Sequence, residues 1–232
     1  MTEHTVKAFD DDINQLRGLI SEMGGRAEAA ISAAMQALLR HDVAAAEVVM
    51  AEDKKIDALE REVERQAVQI IALRAPMADD LREVVAAIKI GGVLERIGDY
   101  AKNIAKRTPL IGGRGKIEPL ALLPAMGEMA ADMVHEVLDA FVARDAALAA
   151  RVAEKDQKLD HFYNSIFRAL VAFMMENPAT ISNAAHLLFV AKNLERIGDH
   201  ATNVAEMVFY AATGEQMPER EKGPDPTDIG GK

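Results

Sequence analysis

The sequence has no cysteine and no tryptophan, and aromatic residues fill only 4% of its 232 positions. Without cysteine there is no disulfide framework, no thiol nucleophile and no thiolate-held zinc. Neither a basic start followed by an apolar stretch nor an uncharged apolar run of about 18 residues occurs, so export and membrane insertion are not expected. The expected location is the cytoplasm. Strand-forming residues are scarce beside Ala, Leu, Met, Glu, Lys and Arg, a helix-forming vocabulary that predicts an all-α protein. With 37 acidic against 27 basic residues the formal charge is −10, which opposes binding to nucleic acid or an anionic bilayer. Such a surface suits cations or basic partner patches. Phosphate-cradling loops of the GxxxxGK[ST] or GxGxxG kind are absent too.

What is present is a repeat. Leu94-Glu95-Arg96-Ile97-Gly98-Asp99 returns letter for letter as Leu194-Glu195-Arg196-Ile197-Gly198-Asp199, a spacing of 100 residues. The agreement continues through Ala101/Ala201, Asn103/Asn203 and Ala105/Ala205. Upstream, Met23-Gly24 corresponds to Met126-Gly127, Asp42 to Asp145, and Asp53, Lys55 and Asp57 to Asp156, Lys158 and Asp160, all offset by 103. Pro76 and Pro178 are offset by 102, so the second copy is three residues shorter between its second helix and its signature. A duplicated three-helix unit follows.

Apolar residues spaced by threes and fours from about Ala8 to Arg40 predict a first helix. Asp42 reads as the N-cap of a second helix that runs to about Arg74, where Pro76 ends it. A third starts at Asp79 or Asp80 and continues to about Arg107. Rods of about 30 residues, roughly 45 Å each, joined by short turns make an antiparallel bundle over residues 1–108. Thr108 to Pro119 holds two prolines and three glycines, giving a linker at 109–119. The second bundle, 120–212, is predicted as helices from about Leu120 to Ala143, Asp145 to Glu176, and Ala179 to Ala212. Residues 213–232, rich in Pro, Gly and charge, read as a disordered tail.

On a helix Glu95 and Asp99 lie on one face with Asn103 a turn further on, away from the stripe of Leu94, Ile97, Ala101 and Ile104. These acids are therefore expected to face a groove or solvent. Asp53 and Asp57 form a second i, i+4 pair, extended by Glu60 and Glu64 on the preceding helix. Like charges so spaced destabilise a helix by about 0.2–0.5 kcal/mol per pair, and a bound cation removes that repulsion. An all-oxygen set suits hard ions such as Mg²⁺, Mn²⁺, Ca²⁺ or ferric iron. The competing reading is a solvated helix face paired with Lys54, Arg61 and Arg96. Gly98 and Gly198 cost about 1 kcal/mol each relative to alanine in mid-helix, which predicts close helix packing at that point. An ordinary surface salt bridge is expected for Arg96 and Arg196. His41, His161, His186 and His200 have no counterpart in the other copy and read as filler.

On these motifs the chain resembles the PhoU family, accessory and regulatory proteins of bacterial phosphate transport. The resemblance rests on the early Met-Gly pair, the Asp-x-x-x-Asp pair and the doubled LERIGD-x-A-x-N, and spans nearly the whole length. It implies two tandem antiparallel three-helix bundles with metal clusters of iron, zinc, manganese or magnesium. The implied metal ligands are Asp53, Asp57, Glu95 and Asp99 in the first bundle, and Asp156, Asp160, Glu195 and Asp199 in the second. It further implies action without catalysis: contact with the transporter ATPase subunit and a phosphate-sensor histidine kinase, repression of the phosphate-starvation regulon, restraint of uptake, and a homodimer. A di-iron enzyme is disfavoured because no Glu-x-x-His motif occurs. A metal-binding scaffold without a signalling role and a metal-free helical scaffold are the remaining rivals. The copies differ where Arg82 is replaced by Ser182.

Overall fold

The computed structural model describes residues 2–111 and 118–218. Six long helices account for most of them: α1 (Thr2–Arg40), α2 (Val43–Arg74), α3 (Asp79–Ala105), α4 (Leu123–Ala143), α5 (Ala146–Glu176) and α6 (Ile181–Thr213). The fold is all-α, two antiparallel three-helix bundles in tandem. Asp42 and Asp145 are the N-caps of α2 and α5, each carboxylate accepting the backbone N–H three residues on at 2.9 Å. The residue before each cap, His41 and Arg144, takes a left-handed conformation with φ of 53°. The amides of Asp42 and Asp145 then reach back to Ala37 O and Ala140 O at 2.9 Å, so both copies close the turn in the same way.

Two helix starts differ from the expected ones. Pro178 opens a 3₁₀ turn, Pro178–Thr180, so α6 begins at Ile181. Glu118–Leu122 is likewise a 3₁₀ turn, and α4 begins at Leu123 with Pro124 in its first turn, where the missing N–H costs nothing. Most of the expected linker, 112–117, lies outside the described residues, as does 219–232 of the expected tail. Gly214 caps α6 with φ of 77°, its amide donating to Tyr210 O at 2.8 Å, and Met217 packs back on the core.

The bundles meet through α3 against α6 and α1 against α4. Tyr100 meets His200, and Arg107 meets His186 and Phe189, so α3 and α6 run antiparallel. The result has two layers: α2, α3, α6 and α5 side by side in front, with α1 and α4 behind. Equivalent residues exchange partners about a pseudo-twofold axis between α1 and α4. Gly24 faces Leu138, and its counterpart Gly127 faces Met35, the counterpart of Leu138. The Met-Gly pairs are thus where one bundle admits a side chain of the other.

The two glycines should respond differently to alanine. At Gly24 a Cβ would fall 2.3, 2.5 and 2.9 Å from three carbons of Leu138, including Cγ. At Gly127 it would fall 2.9 Å from Cγ of Met35, an unbranched chain that adapts. Alanine gains about 1 kcal/mol of helix propensity at either site, so Gly127→Ala should be close to neutral. Gly24→Ala should lose about 1–2 kcal/mol net, because Leu138 must swing out of a packed seam. Urea denaturation of both variants checks the difference.

Candidate functional site

The doubled motif lies on the sides of α3 and α6 that face α2 and α5. Gly98 lets α2 approach: a Cβ there would be 2.8 Å from Ile56 Cδ1 and 3.7 Å from Asp53 Oδ1. Gly198 is tighter, with Leu159 Cδ2 at 2.3 Å and Asp156 Oδ1 at 2.8 Å. Close packing, as expected, explains both glycines. It also alters the expected exposure of the acids. Asp53 is 5% exposed, Asp156 0% and Glu195 8%, whereas Asp57, Glu95, Asp99, Asp160 and Asp199 are half-buried. The solvent-facing stripe expected from α3 and α6 taken singly does not account for α2 and α5, which close over it.

In the first bundle one cation organises the set. The ammonium of Lys102 donates to Asp53 Oδ2 at 2.5 Å and to Asp99 Oδ1 at 2.7 Å, joining α2 to α3. Burial pulls its pKa down, but hydrogen bonds to Asp53 and then Asp99 outweigh this and hold it well above the ordinary lysine range. Glu95 is left in a field of like charge. Burial raises its pKa most, followed by Asp99, Glu60, Asp57 and Asp53. Glu60 is raised by burial, then by Glu64 and Asp57, against a smaller opposing effect of Arg61.

The second bundle solves the same problem with different residues. Tyr163 and Phe167 stand where the first bundle has Glu60 and Glu64. Lys192 donates to Glu195 Oε1 at 2.9 Å, and its ammonium lies 5.1 Å from the Tyr163 ring centroid. Burial raises the Glu195 pKa, and Lys192 opposes that by hydrogen bond and by charge.

The eight acids the resemblance nominates for metal are therefore brought into two groups, but not into cages. Among the described residues no three Asp, Glu or His side chains converge as metal ligands. Asp53, Asp99 and Glu195 already hold lysine ammonium groups at hydrogen-bond distance. In this arrangement the donor set does not fit a hard cation that needs six or more oxygens around it.

Arg96 and Arg196 depart from the salt bridge expected of them. Both are exposed and, among the described residues, neither pairs with a carboxylate. They flank the axis between α3 and α6, where Tyr100 and His200, counterparts of each other, stack with centroids 5.3 Å apart. The Arg196 guanidinium lies 5.8 Å from the Tyr100 ring centroid. Asn203 Nδ2 sits 3.3 Å from His200 Nδ1, and His200 Nε2 sits 3.1 Å from the Tyr100 hydroxyl. Burial lowers the pKa of His200, then Arg96 and Arg196 lower it further against the opposing Asp199, so the ring is neutral near pH 7.

Two of the histidines read as filler cross between bundles: besides His200, His186 Nδ1 meets Arg107 Nη1 at 3.2 Å. So does His135 of α4, whose Nδ1 lies 3.1 Å from Glu28 Oε2 of α1. Glu83 was not among the expected site residues, although it lies in the Asp80–Glu83 stretch that the second copy lacks. It is 5% exposed and takes Arg17 Nε at 2.5 Å and Arg144 Nη1 of the second bundle at 3.2 Å. The stretch around Arg82 that lacks a counterpart thus docks the chain's own second half. Absence from the repeat was the available signal, since a contact across a pseudo-twofold need not be duplicated.

Fold and site define a class: duplicated three-helix proteins with a paired acidic signature and a basic seam between the copies. A profile of the PhoU domain matches residues 20–108 and 123–208. The chain belongs to the PhoU family. It is 57% identical to the phosphate-specific transport system accessory protein PhoU homolog of Zymomonas mobilis, over 96% of this chain and 94% of that one. The protein of the same description from Caulobacter vibrioides strain NA1000 is 45% identical, over 94% and 95%. Among solved structures, PhoU from Pseudomonas aeruginosa superposes with a TM-score of 0.85 at 36% identity, over 89% of this chain and all of that one. The phosphate transport system regulatory protein PhoU from Streptococcus pneumoniae gives 0.85 at 27%, over 91% of this chain.

Proposed function

We propose that this chain is a cytoplasmic regulatory accessory protein of a phosphate ABC transport system. In this reading it contacts the transporter ATPase and a phosphate-sensor histidine kinase, represses the phosphate-starvation response when phosphate is plentiful, restrains uptake, and works as a homodimer. Relatives that bear the accessory-protein description over nearly the full chain support it. No helix among the described residues is long and apolar enough to cross a membrane, which accords with a partner docking from one side of the bilayer.

The geometric observation behind the reading is the charge pattern of the front layer. Half-buried acids, Asp57, Glu60, Glu95 and Asp99, line the α2/α3 side, and beside them the α3–α6 seam carries Arg96, Arg196, Arg107 and the exposed ring of Phe189. Opposite charges in adjacent strips fix the register of a protein partner better than they hold a small substrate. A cell lacking the gene and grown in abundant phosphate should show high phosphatase reporter activity, lowered again by the intact gene. Arg96→Glu/Arg196→Glu, two exposed changes compatible with folding, should fail to lower it while keeping the wild-type circular dichroism. Full repression by that double variant would remove the seam from the reading, and a reporter that stays low on deletion would remove the repressor role itself.

A further inference from the structure

Each copy of the motif carries a lysine among its carboxylates, but at a different position. In the first bundle it is Lys102, three residues after Asp99. The equivalent residue in the second is Thr202, which is fully buried with no hydrogen-bond partner for its hydroxyl. There the cation is Lys192, three residues before Glu195, at the position Gly92 holds in the first bundle. Both lysine side chains are one-quarter exposed and reach the carboxylates from the same helix as the motif. Two different substitutions have produced one result, an ammonium against the doubled signature.

We propose that Lys102 and Lys192 are resident counter-ions of the doubled motif, taking the place the family resemblance gives to a metal ion. The chain then holds its buried carboxylates without metal, and a divalent cation enters only by displacing an ammonium. A buried carboxylate requires a cation or a dense set of donors. Lys102 satisfies Asp53 from a neighbouring helix and Asp99 from its own, with two charge-assisted hydrogen bonds. A metal must break both and then recruit further oxygens that do not converge here. The second bundle has the aromatic Tyr163 in place of the acidic Glu60, so fewer carboxylates surround Lys192 and one ammonium goes further toward balancing them.

The test uses the full-length untagged protein, stripped with EDTA, and Lys102→Met, which keeps chain length and removes the charge. The wild-type melting temperature should stay the same in EDTA and in Mn²⁺, and paramagnetic resonance of free Mn²⁺ should show weak binding. Lys102→Met should lose several degrees in EDTA, regain them with Mn²⁺, and bind Mn²⁺ on the order of tenfold tighter or more. Should that variant not fold, Asp53→Asn/Lys102→Met, which removes the unpaired charge, should fold near wild type and show no Mn²⁺ response. A wild-type protein that loses several degrees in EDTA and regains them with Mn²⁺ overturns the proposal. So does a Lys102→Met variant unchanged in both stability and Mn²⁺ affinity, or a double variant that fails to fold as the single one does.

Discussion

Glu83→Ala is expected to lower folding stability by about 2–3 kcal/mol, among the largest single effects in the molecule. Glu83 accepts a hydrogen bond from Arg17 Nε of α1 at 2.5 Å and forms an ion pair with Arg144 Nη1, at the start of the α4–α5 turn, at 3.2 Å. One buried carboxylate therefore ties together two helices of the first bundle and the corner of the second. Removing it leaves two guanidinium groups facing each other across a cavity. Removing either arginine alone leaves the other in place, and both are more exposed than Glu83, so Arg17→Ala and Arg144→Ala should each cost about 1–2 kcal/mol. Chemical denaturation of the three variants, with the Arg144→Ala/Glu83→Ala pair closing a double-mutant cycle, measures the link between bundles. A Glu83→Ala value within about 1 kcal/mol of wild type would show that the packing of α3 against α6 carries that interface without it.

The same triad shows where sequence reading stops. Helix number, turns and bundle class were legible because each has a local cause: threefold and fourfold apolar spacing, Asp42 and Asp145 as caps, Pro76 and Pro178 as breaks. The duplication made these signals mutually supporting. Residues that recur in both copies stand out in the sequence, and those that do not recur carry no such mark. Glu83, Lys102, Lys192, Tyr163 and His200 all lack an identical counterpart, yet they pair the charges and join the bundles. The copies have diverged at these positions: within the bundles Lys102 aligns with Thr202, Lys192 with Gly92 and Tyr163 with Glu60, and between them Tyr100 meets His200 and Arg107 meets His186.

Burial of the acids was illegible for a related reason. A single helix places Glu195 well away from its apolar stripe, but α5 lies over that side because Gly198 has no side chain to keep it off. The glycine and the buried acids are one structural decision: the helices approach closely, and the carboxylates between them must then be neutralised from within.

That coupling gives the last prediction, an asymmetry between identical motifs. Gly98→Ala should be nearly neutral. Its Cβ would sit 2.8 Å from the terminal carbon of Ile56, which can rotate aside, and the helix gains about 1 kcal/mol in propensity. Gly198→Ala should lose about 3 kcal/mol. Here the Cβ meets Leu159 Cδ2 at 2.3 Å and the Asp156 carboxylate at 2.8 Å, and both side chains are 0% exposed. Neither can move without displacing a packed neighbour, and shifting Asp156 also disturbs a buried charge. Thermal and urea denaturation of the two variants decide the matter. Equal losses would mean that α5 moves away from α6 as easily as Ile56 rotates beside α3. Unequal losses in the expected order would mean that the second copy, with its aromatic Tyr163 and Phe167 and its buried Asp156, is the more rigid half, leaving the more acidic first half as the one whose α2–α3 face can adjust when a partner or cation arrives.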